Sequence, residues 1–475
     1  MLPFGPYRPD VATTNPAISQ HVLNVNPRKD SQGVSYHPRR SLQVTVGAMA
    51  LPAAPRGALA VVQRAGVFKG YFGTADKLYE MDSTYQFDEI GSGYAVPAGH
   101  SWGMCQYGDR LLVTNTTDGM LEWDIESGGT VDVVTDAPAA RSMFVWAEMV
   151  LALDCDGDNR LMRNSAPGSY TNWTTRGAGA QEFADGEALM GGGVVNDGQA
   201  VVIQRAAVRL LTISGTEKIF RIDQFPGDVG AVSPDCIVQI PGGVAFMDSS
   251  GPQIATAQGV MPIGDNKVAR TFVASVDDIT AVSGAYDNEL RQIVWRSSAN
   301  DLLVYDLATQ EFVPVEEATT AIIRMSNPAL TLEDLDAFGT LDSLPYSLDS
   351  NAWKGGRPRL AALDADLKFG FFDGDNLAAE IETATLTDNA SMLVSWVLPV
   401  TDDPDVTVSL LVRSRLADAP DPEKAPSSMA ASGRCAVRGR GKCISVISKH
   451  AAGAAWTYDR GIDFPPGGIA KGGPK

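Results

Sequence analysis

Apolar positions along this chain fall into two kinds of short run, and both recur. The first kind mixes apolar and polar residues over five or six positions: 77–82, 120–124, 160–164, 208–213, 253–257 and 301–306. One apolar residue from each (Leu78, Leu121, Leu161, Leu210, Ile254, Leu303) gives spacings of 43, 40, 49, 44 and 49. The second kind is more continuously apolar, as a strand covered on both faces should be. Its members are 58–62, 110–114, 149–153, 200–203, 243–247 and 292–295, each a short way upstream of a run of the first kind. Turn-forming residues separate many of these runs: Gly108 with Asp109, Asn196 to Gly198, Gly242, and Asp287 with Asn288. Antiparallel strands joined by such turns are the direct reading.

A period of 40–50 residues made of short strands predicts a mainly β fold, a β-propeller of about six to seven blades. One four-stranded blade cannot bury both of its faces, whereas blades packed around an axis bury them all. A pair of irregular β-sandwiches with coincidental spacing is the alternative. The propeller is expected over 41–324. The repeat breaks after Val315, and 325–360 reads as an insertion carrying a short helix, with a capping-box-like start at Thr331. Strand signal resumes over 361–385. Residues 1–40 show no period and read as an extended N-terminal arm. Residues 386–475 read as C-terminal β-hairpins, one turning at Gly439 to Gly441, and a mobile Gly-rich tail.

Composition agrees with a turn-rich fold: 47 Gly and 28 Pro make about one residue in six, and 44% hydrophobic content excludes global disorder. Net charge is −19, unevenly placed. Residues 1–40 hold Arg8, Arg28, Lys29, Arg39 and Arg40 against Asp10 and Asp30, and residues 431–475 hold eight basic groups against Asp459 and Asp463. An acidic body with basic ends does not suit a conventional nucleic-acid reader, which needs a concentrated basic face. It suits ends that touch acidic neighbours, or a wall that repels DNA. Five cysteines without a CxxC pair read as reduced, mostly buried thiols. Neither a signal peptide nor an apolar run long enough for a transmembrane helix is visible, so folding in cytosol and no membrane insertion are expected.

Candidate chemistry is sparse. Asp154, Asp156 and Asp158 lie at i, i+2, i+4 and form the best metal candidate. The spacing departs from a calcium loop, though, and an ordinary hairpin turn explains the residues as well. Asp402, Asp403 and Asp405 read as a solvated turn. His21, His37, His100 and His450 are far apart with no partner at metal spacing. No nucleophile elbow, zinc-protease motif or phosphate loop occurs, so neither catalytic residues nor a cofactor is expected. Arg434, Arg438, Arg440, Lys442 and Lys449 make a basic hairpin without interleaved aromatics, which does not suit sequence-specific DNA binding. A solvated loop is the plain reading, docking against an acidic neighbouring subunit the next, and contact with a DNA backbone the third.

Several ordered segments carry a resemblance. They are Leu2 to Gly5 with Arg8 to Asp10, Phe72 to Tyr79, Tyr107 to Asn115, Leu332 to Asp336, Leu344 to Asp349, Trp353 to Gly356, Gly370 to Gly374 and Trp456 to Gly461. In these the chain resembles the hub or nozzle proteins of short-tailed bacteriophages, also called packaged-DNA stabilisation proteins. The resemblance implies a non-enzymatic virion tail protein assembled in the host cytoplasm. It implies a homo-hexameric ring beneath the portal and its adaptor, contacts to fibre, spike or needle proteins, and transient passage of double-stranded DNA. The basic groups, Arg8, Arg28, Lys29, Arg39, Arg40, Arg434, Arg438, Arg440 and Lys442, are then the expected partner contacts. Two rival classes remain: a phage-tail propeller enzyme acting on surface polysaccharide, with paired carboxylates and aromatic platforms at the axis, and a glycan- or calcium-binding propeller.

Overall fold

A computed structural model describes residues 2–12, 17–30, 33–215, 219–298, 300–326, 358–415, 418, 425–464 and 469–471. Seven four-stranded antiparallel sheets follow one another along the chain. Blade 1 is Ala58–Val62, Phe68–Gly73, Lys77–Met81 and Phe87–Ser92; blade 2 is Gly103–Tyr107, Arg110–Asn115, Gly119–Asp124 and Asp132–Val133. Blade 3 is Ala140–Trp146, Met149–Cys155, Asp158–Asn164 and Gly179–Glu182; blade 4 is Leu189–Asn196, Gln199–Gln204, Val208–Ile213 and Phe220–Gln224. Blade 5 is Val238–Ile240, Gly243–Asp248, Gly251–Thr256 and Gly259–Pro262; blade 6 is Ser283–Asp287, Gln292–Arg296, Asp301–Asp306 and Glu311–Glu316. Blade 7 takes Ala321–Met325, Arg359–Leu363 and Phe369–Phe371, and its fourth strand is Gln43–Val44 from the other end of the chain.

The first strands of neighbouring blades lie against one another, except that the first strand of blade 4 lies mainly against the second strand of blade 5. The first strand of blade 7 lies against that of blade 1, so the ring closes. The fold is a seven-bladed β-propeller. The recurrent runs of the first kind are the third strands of blades 1–6. The continuously apolar runs are the second strands of blades 2–6, and these are the most buried: Val150 to Leu153, Ala200 to Ile203 and Val244 to Met247 have no measurable exposure. In blade 1 the expected member, 58–62, is instead the first strand. The true second strand, Phe68–Gly73, carries Lys69, Gly70 and Gly73, and these polar and small residues hide its apolar pattern.

Residues 1–40 are not an extended arm. Leu2–Pro3, Val25–Asp30 and Gly33–Pro38 join Leu398–Thr401 and Asp459–Asp463 in one sheet. Val22–Leu23 joins a second sheet with Ala379–Glu382, Leu386–Val394, Thr407–Arg413, Ser427–Ser428, Gly439–His450 and Ile469–Lys471. Phe4, Val22, Val25 and Tyr36 share one core with Val394, Val408 and Val446 of the second sheet and with Val294, Val313, Leu360 and Ala362 of blades 6 and 7. Asn24, at φ +59°, makes the step between sheets. Its amide donates to the Ala378 carbonyl at 2.8 Å, and its Oδ1 accepts from the Glu316 N–H at 2.7 Å. Leu2–Pro3 and Val22–Leu23 have no period of their own because they are two residues long and their partners lie at the far end of the chain. Val25–Asp30 pairs with Gly33–Pro38 as an isolated hairpin outside the repeat.

Three further expectations change. Gly439–His450 is one continuous strand rather than a hairpin. A Cβ at Gly441 would stand 2.4 Å from Val412 Cγ1, so this glycine permits close strand approach instead of a turn. Ile469–Lys471, within the expected tail, pairs with Leu386–Val394. Ala269–Ser275 is a short helix that the sequence pattern did not signal, with Ala269 and Phe272 buried beside blade 5. The helix expected near Thr331 lies outside the described residues.

Ring closure sets a test. A Cβ at Gly370 would meet the Gln43 carbonyl oxygen at 2.4 Å and Val44 Cα at 3.0 Å, both backbone atoms of the closing strand. Gly370→Ala is expected to lose about 1–3 kcal/mol in chemical denaturation and to expose residues near 43–50 to protease. Gly198→Ala, with only Asn196 Oδ1 near its Cβ at 3.8 Å, is expected to stay within about 0.5 kcal/mol of wild type. Equal stability of the two variants would remove Gly370 from the closure.

Candidate functional site

The C-terminal basic segment forms a surface. From 434 to 443, Arg434, Arg438, Arg440 and Lys442 are exposed, whereas Cys435, Val437, Gly439 and Cys443 are buried, and from Gly439 onward this follows the alternation of side chains across a strand. The stripe is held by its neighbours. The Arg434 guanidinium lies 4.2 Å over the Trp396 ring, and Arg440 Nε donates to Ser391 Oγ at 3.0 Å. Lys449, further along, is drawn to Glu380 at 3.1 Å, and His21 meets the same carboxylate at 2.9 Å.

The N-terminal cations divide. Arg28 and Arg40 are exposed, and Arg40 Nη1 reaches the Asp373 carbonyl at 3.3 Å. Arg39 is buried: its Nη1 donates to Gln292 Oε1 at 2.9 Å and Asn26 Oδ1 at 3.1 Å, and burial pulls its guanidinium down to about 10. Arg8 pairs with buried Glu311, and Lys29 lies 3.4 Å from the same carboxylate. Arg8, Lys29 and Arg39 therefore tie the N-terminal strands to blade 6 within the chain, because Glu311 on its fourth strand and Gln292 on its second present the matching acceptors.

The acidic candidates are structural. Asp156 and Gly157, at φ +54° and +84°, form the two central residues of a tight hairpin turn. Asp156 Oδ2 accepts from Arg163 at 3.1 Å, and Asp158 Oδ1 accepts from the Arg160 N–H at 3.0 Å. Among the described residues no group of three His, Cys, Asp or Glu is placed to hold a metal ion. All five cysteines are buried and unpaired. The Asp402 cluster is not a free solvated turn. Asp402 accepts from the Thr457 N–H at 2.9 Å, and Asp403 is buried against His450.

That histidine is the chemistry the sequence pattern missed. His450 Nδ1 lies 2.7 Å from Asp403 Oδ2 and Nε2 lies 3.0 Å from Asp459 Oδ2, and all three side chains are essentially inaccessible. Ser448 Oγ donates to Asp459 at 2.7 Å, and the imidazole stacks on Trp456 at 4.0 Å between centroids. The network links both sheets of the sandwich. Burial alone would push His450 toward neutrality. Two carboxylates accepting from the ring outweigh that and raise its pKa above the ordinary imidazole value. Burial pushes the Asp459 carboxyl up even though His450 and Ser448 pull it down. Only the 47-residue separation of Asp403 and His450 hid the pair.

The propeller axis holds a cavity of about 430 Å³ where the first strands begin. All seven blades contribute, among them Arg56, Ser101, Trp102, Arg141, Asp235, Ser283, Arg296 and Thr320. Ser101, leading into blade 2, donates through Oγ to Asp235 Oδ2 of blade 5 at 2.6 Å, so a hydrogen bond spans the bore. Enclosure by the blades holds the Asp235 carboxyl above the ordinary carboxylate range, while Ser101 and Arg141 pull it down. Beside it, burial and Arg141 lower His100. Among the described residues, one lining carboxylate and a buried indole, Trp102, stand where the enzyme reading asked for paired acids and open aromatic platforms.

No family profile matches the chain, and no curated protein does. Solved structures that resemble it include virginiamycin B lyase from Staphylococcus aureus, at 11% identity and TM-score 0.41, covering 60% of this chain and 94% of that one. BBS1N, solved in complex with ARL6DN, gives 11%, 0.42, 70% and 96%, and the RRP9 WD40 repeats give 10%, 0.41, 62% and 91%. Likenesses this distant carry no information on activity, and the propeller rests on its own seven sheets. Among the described residues no helix is long and apolar enough to cross a membrane.

The His450 network gives a pH-dependent outcome. Its native pKa is raised, whereas the unfolded imidazole titrates near 6.5. The stabilisation is therefore complete below about pH 6.5 and is lost as pH rises through the native value. His450→Gln is expected to cost about 3–5 kcal/mol below that pH, with the deficit shrinking at alkaline pH. Urea denaturation of both proteins from pH 5.5 to 9 reads this; a deficit that does not change with pH would contradict the assignment.

Proposed function

We propose that the chain is a tail nozzle or hub subunit of a short-tailed bacteriophage. Six copies would form a ring beneath the portal and adaptor, extend the DNA path and help retain packaged DNA until ejection. The protein would be assembled in the host cytoplasm and carried in the virion tail, with fibre, spike or needle proteins as further partners. The observation that carries the reading is the exposed stripe of Arg434, Arg438, Arg440 and Lys442 on a chain of net charge −19. An acidic body with one basic edge is complementary to a second copy of itself or to an acidic adaptor, and complementarity of this kind sets register and encounter rate. Arg28 and Arg40, exposed at the opposite end of the sequence, are secondary contacts.

The propeller axis is too small and is crossed by the Ser101 to Asp235 hydrogen bond. In this reading DNA runs through the space enclosed by the ring of subunits, not through a blade axis. A strongly acidic wall around that space would repel phosphates and let the duplex slide. The ordered segments from Leu2 to Gly461 that resemble the phage family support the same assignment.

The test is assembly. Native mass measurement and electron microscopy of the protein with its adaptor, at low and high salt, should give a six-fold ring that weakens as salt rises. Reversing charge at Arg434, Arg438 and Arg440 to Glu should weaken assembly by about 1–3 kcal/mol, roughly tenfold to a hundredfold, with the melting temperature unchanged. A chain that stays monomeric with its adaptor, or a ring indifferent to the charge reversal, would overturn the proposal.

A further inference from the structure

The lining of the axial cavity has a charge imbalance that the rest of the fold corrects only in part, through Asp154 acting on Arg141 and His100. Arg56, Arg141 and Arg296 line it together with a single carboxylate, Asp235, among the described residues. That carboxylate already accepts from Ser101 at 2.6 Å. The three arginines differ in how far they are satisfied. Arg56 Nη1 donates to the Val96 and Pro97 carbonyls at 2.8 and 3.1 Å, and Arg296 Nε donates to the Thr319 carbonyl at 2.8 Å. Those acceptors are neutral backbone groups, so they fix the side chains without cancelling charge. Arg141 has not even this. Its Nε is buried with no partner, and the Oγ of the next residue, Ser142, is equally buried and unpartnered. None of the three guanidiniums has a carboxylate of the described residues within ion-pair distance.

A buried donor without an acceptor is costly, and a buried charge without a counter-charge is costlier. Folded proteins keep such groups where something else completes them. Here the completing group must be negative, must present oxygen acceptors to planar guanidinium forks, and must fit a cavity within the range of small-molecule sites. Polymers are excluded by volume and by the Ser101 to Asp235 bond across the bore. Three positive lining groups against one negative leave up to two charges to be met, with Asp154 offsetting part of one from outside the lining.

We infer that the axial cavity is a binding site for a small dianion with oxygen acceptors, a phosphate or a short dicarboxylate, with Arg141 as its principal anchor and Arg56 and Arg296 as flanking charges. Trp102 closes one wall: its Nε1 donates to the Thr74 carbonyl at 2.8 Å, which fixes the indole against the lining. Ser283 lines the cavity from blade 6, and the Thr320 hydroxyl beside blade 7 is committed to the Asp364 carbonyl at 2.7 Å. The site lies within one chain and stands whether or not the chain assembles into a ring.

The experiment is isothermal titration of the full chain with inorganic phosphate and, separately, with succinate, in a chloride buffer of low ionic strength. One arm or the other is expected to show a single site per chain, with a dissociation constant on the order of 1 mM or tighter. Whichever arm binds names the source chemistry. Arg141→Gln should weaken that binding at least roughly tenfold. Without ligand it should unfold no earlier than wild type, because the unpaired charge has been removed. Arg56→Gln gives a second reading of the same site and should weaken binding in the same direction. Three results would overturn the inference: no binding of either anion at about 10 mM, binding at several sites per chain, or binding that both variants leave unchanged, which would mean an adventitious ion only.

Discussion

One pairing holds the molecule shut. The two residues Gln43–Val44 lie beside Phe369–Phe371 and complete the seventh sheet, so the last blade is finished by the beginning of the chain. A ring of blades has no edge of its own to stop at, and an unfinished blade would leave a row of unpaired backbone donors and acceptors on its outer side. The strands just before residue 43 extend the same logic. They run through both sheets of the sandwich and share a core with blades 6 and 7. Closure of the propeller and assembly of the sandwich are thus one event, because a single segment takes part in both.

The repeat was legible because third strands present a mixed face at a nearly constant interval and second strands are covered on both sides. Leu78, Leu121, Leu161, Leu210, Ile254 and Leu303 all fall on third strands. The places that could not be read share a cause. Among residues 2–40, Leu2–Pro3 and Val22–Leu23 pair with strands at 459–463 and 379–382, and the hairpin of Val25–Asp30 with Gly33–Pro38 is covered by residues from the far end of the chain, so neither carries a periodic signature of its own. Phe68–Gly73 was masked by its glycines and Lys69. In the C-terminal region Gly439 and Gly441 read as a turn, although the steric demand at 441 comes from Val412 on the neighbouring strand. Local sequence reports a glycine's freedom but not the atom that requires it.

Charge was legible in amount and not in place. The counts located basic residues at both ends, but three of the five N-terminal cations are consumed inside the chain by Glu311, Gln292, Asn26 and Thr309. The C-terminal four are all exposed, Arg440 and Lys442 through strand alternation and Arg434 and Arg438 on the segment leading into that strand. Asp403, His450 and Asp459 were invisible as a group, since each comes from a different strand or turn and only the stacking of two sheets brings them together. The arginines of the axis are likewise contributed by separate blades, and no interval along the sequence connects them.

The identity of the closing strand bears on how the chain is made. Residues 43–44 leave the ribosome early, whereas their partner near 370 follows only after six blades have been translated. At ordinary synthesis rates that interval is on the order of tens of seconds. Throughout it Leu2–Pro3 and Val22–Leu23 have no native partner in their own molecule, Val25–Asp30 and Gly33–Pro38 can pair only with each other, and the apolar residues Phe4, Val22, Val25 and Tyr36 await a core not yet synthesised. Blades 1–6 can pair internally as they emerge, so nascent folding proceeds through the blades, and the strands that precede them in the chain are docked only after blade 7 and the C-terminal sheets have been made.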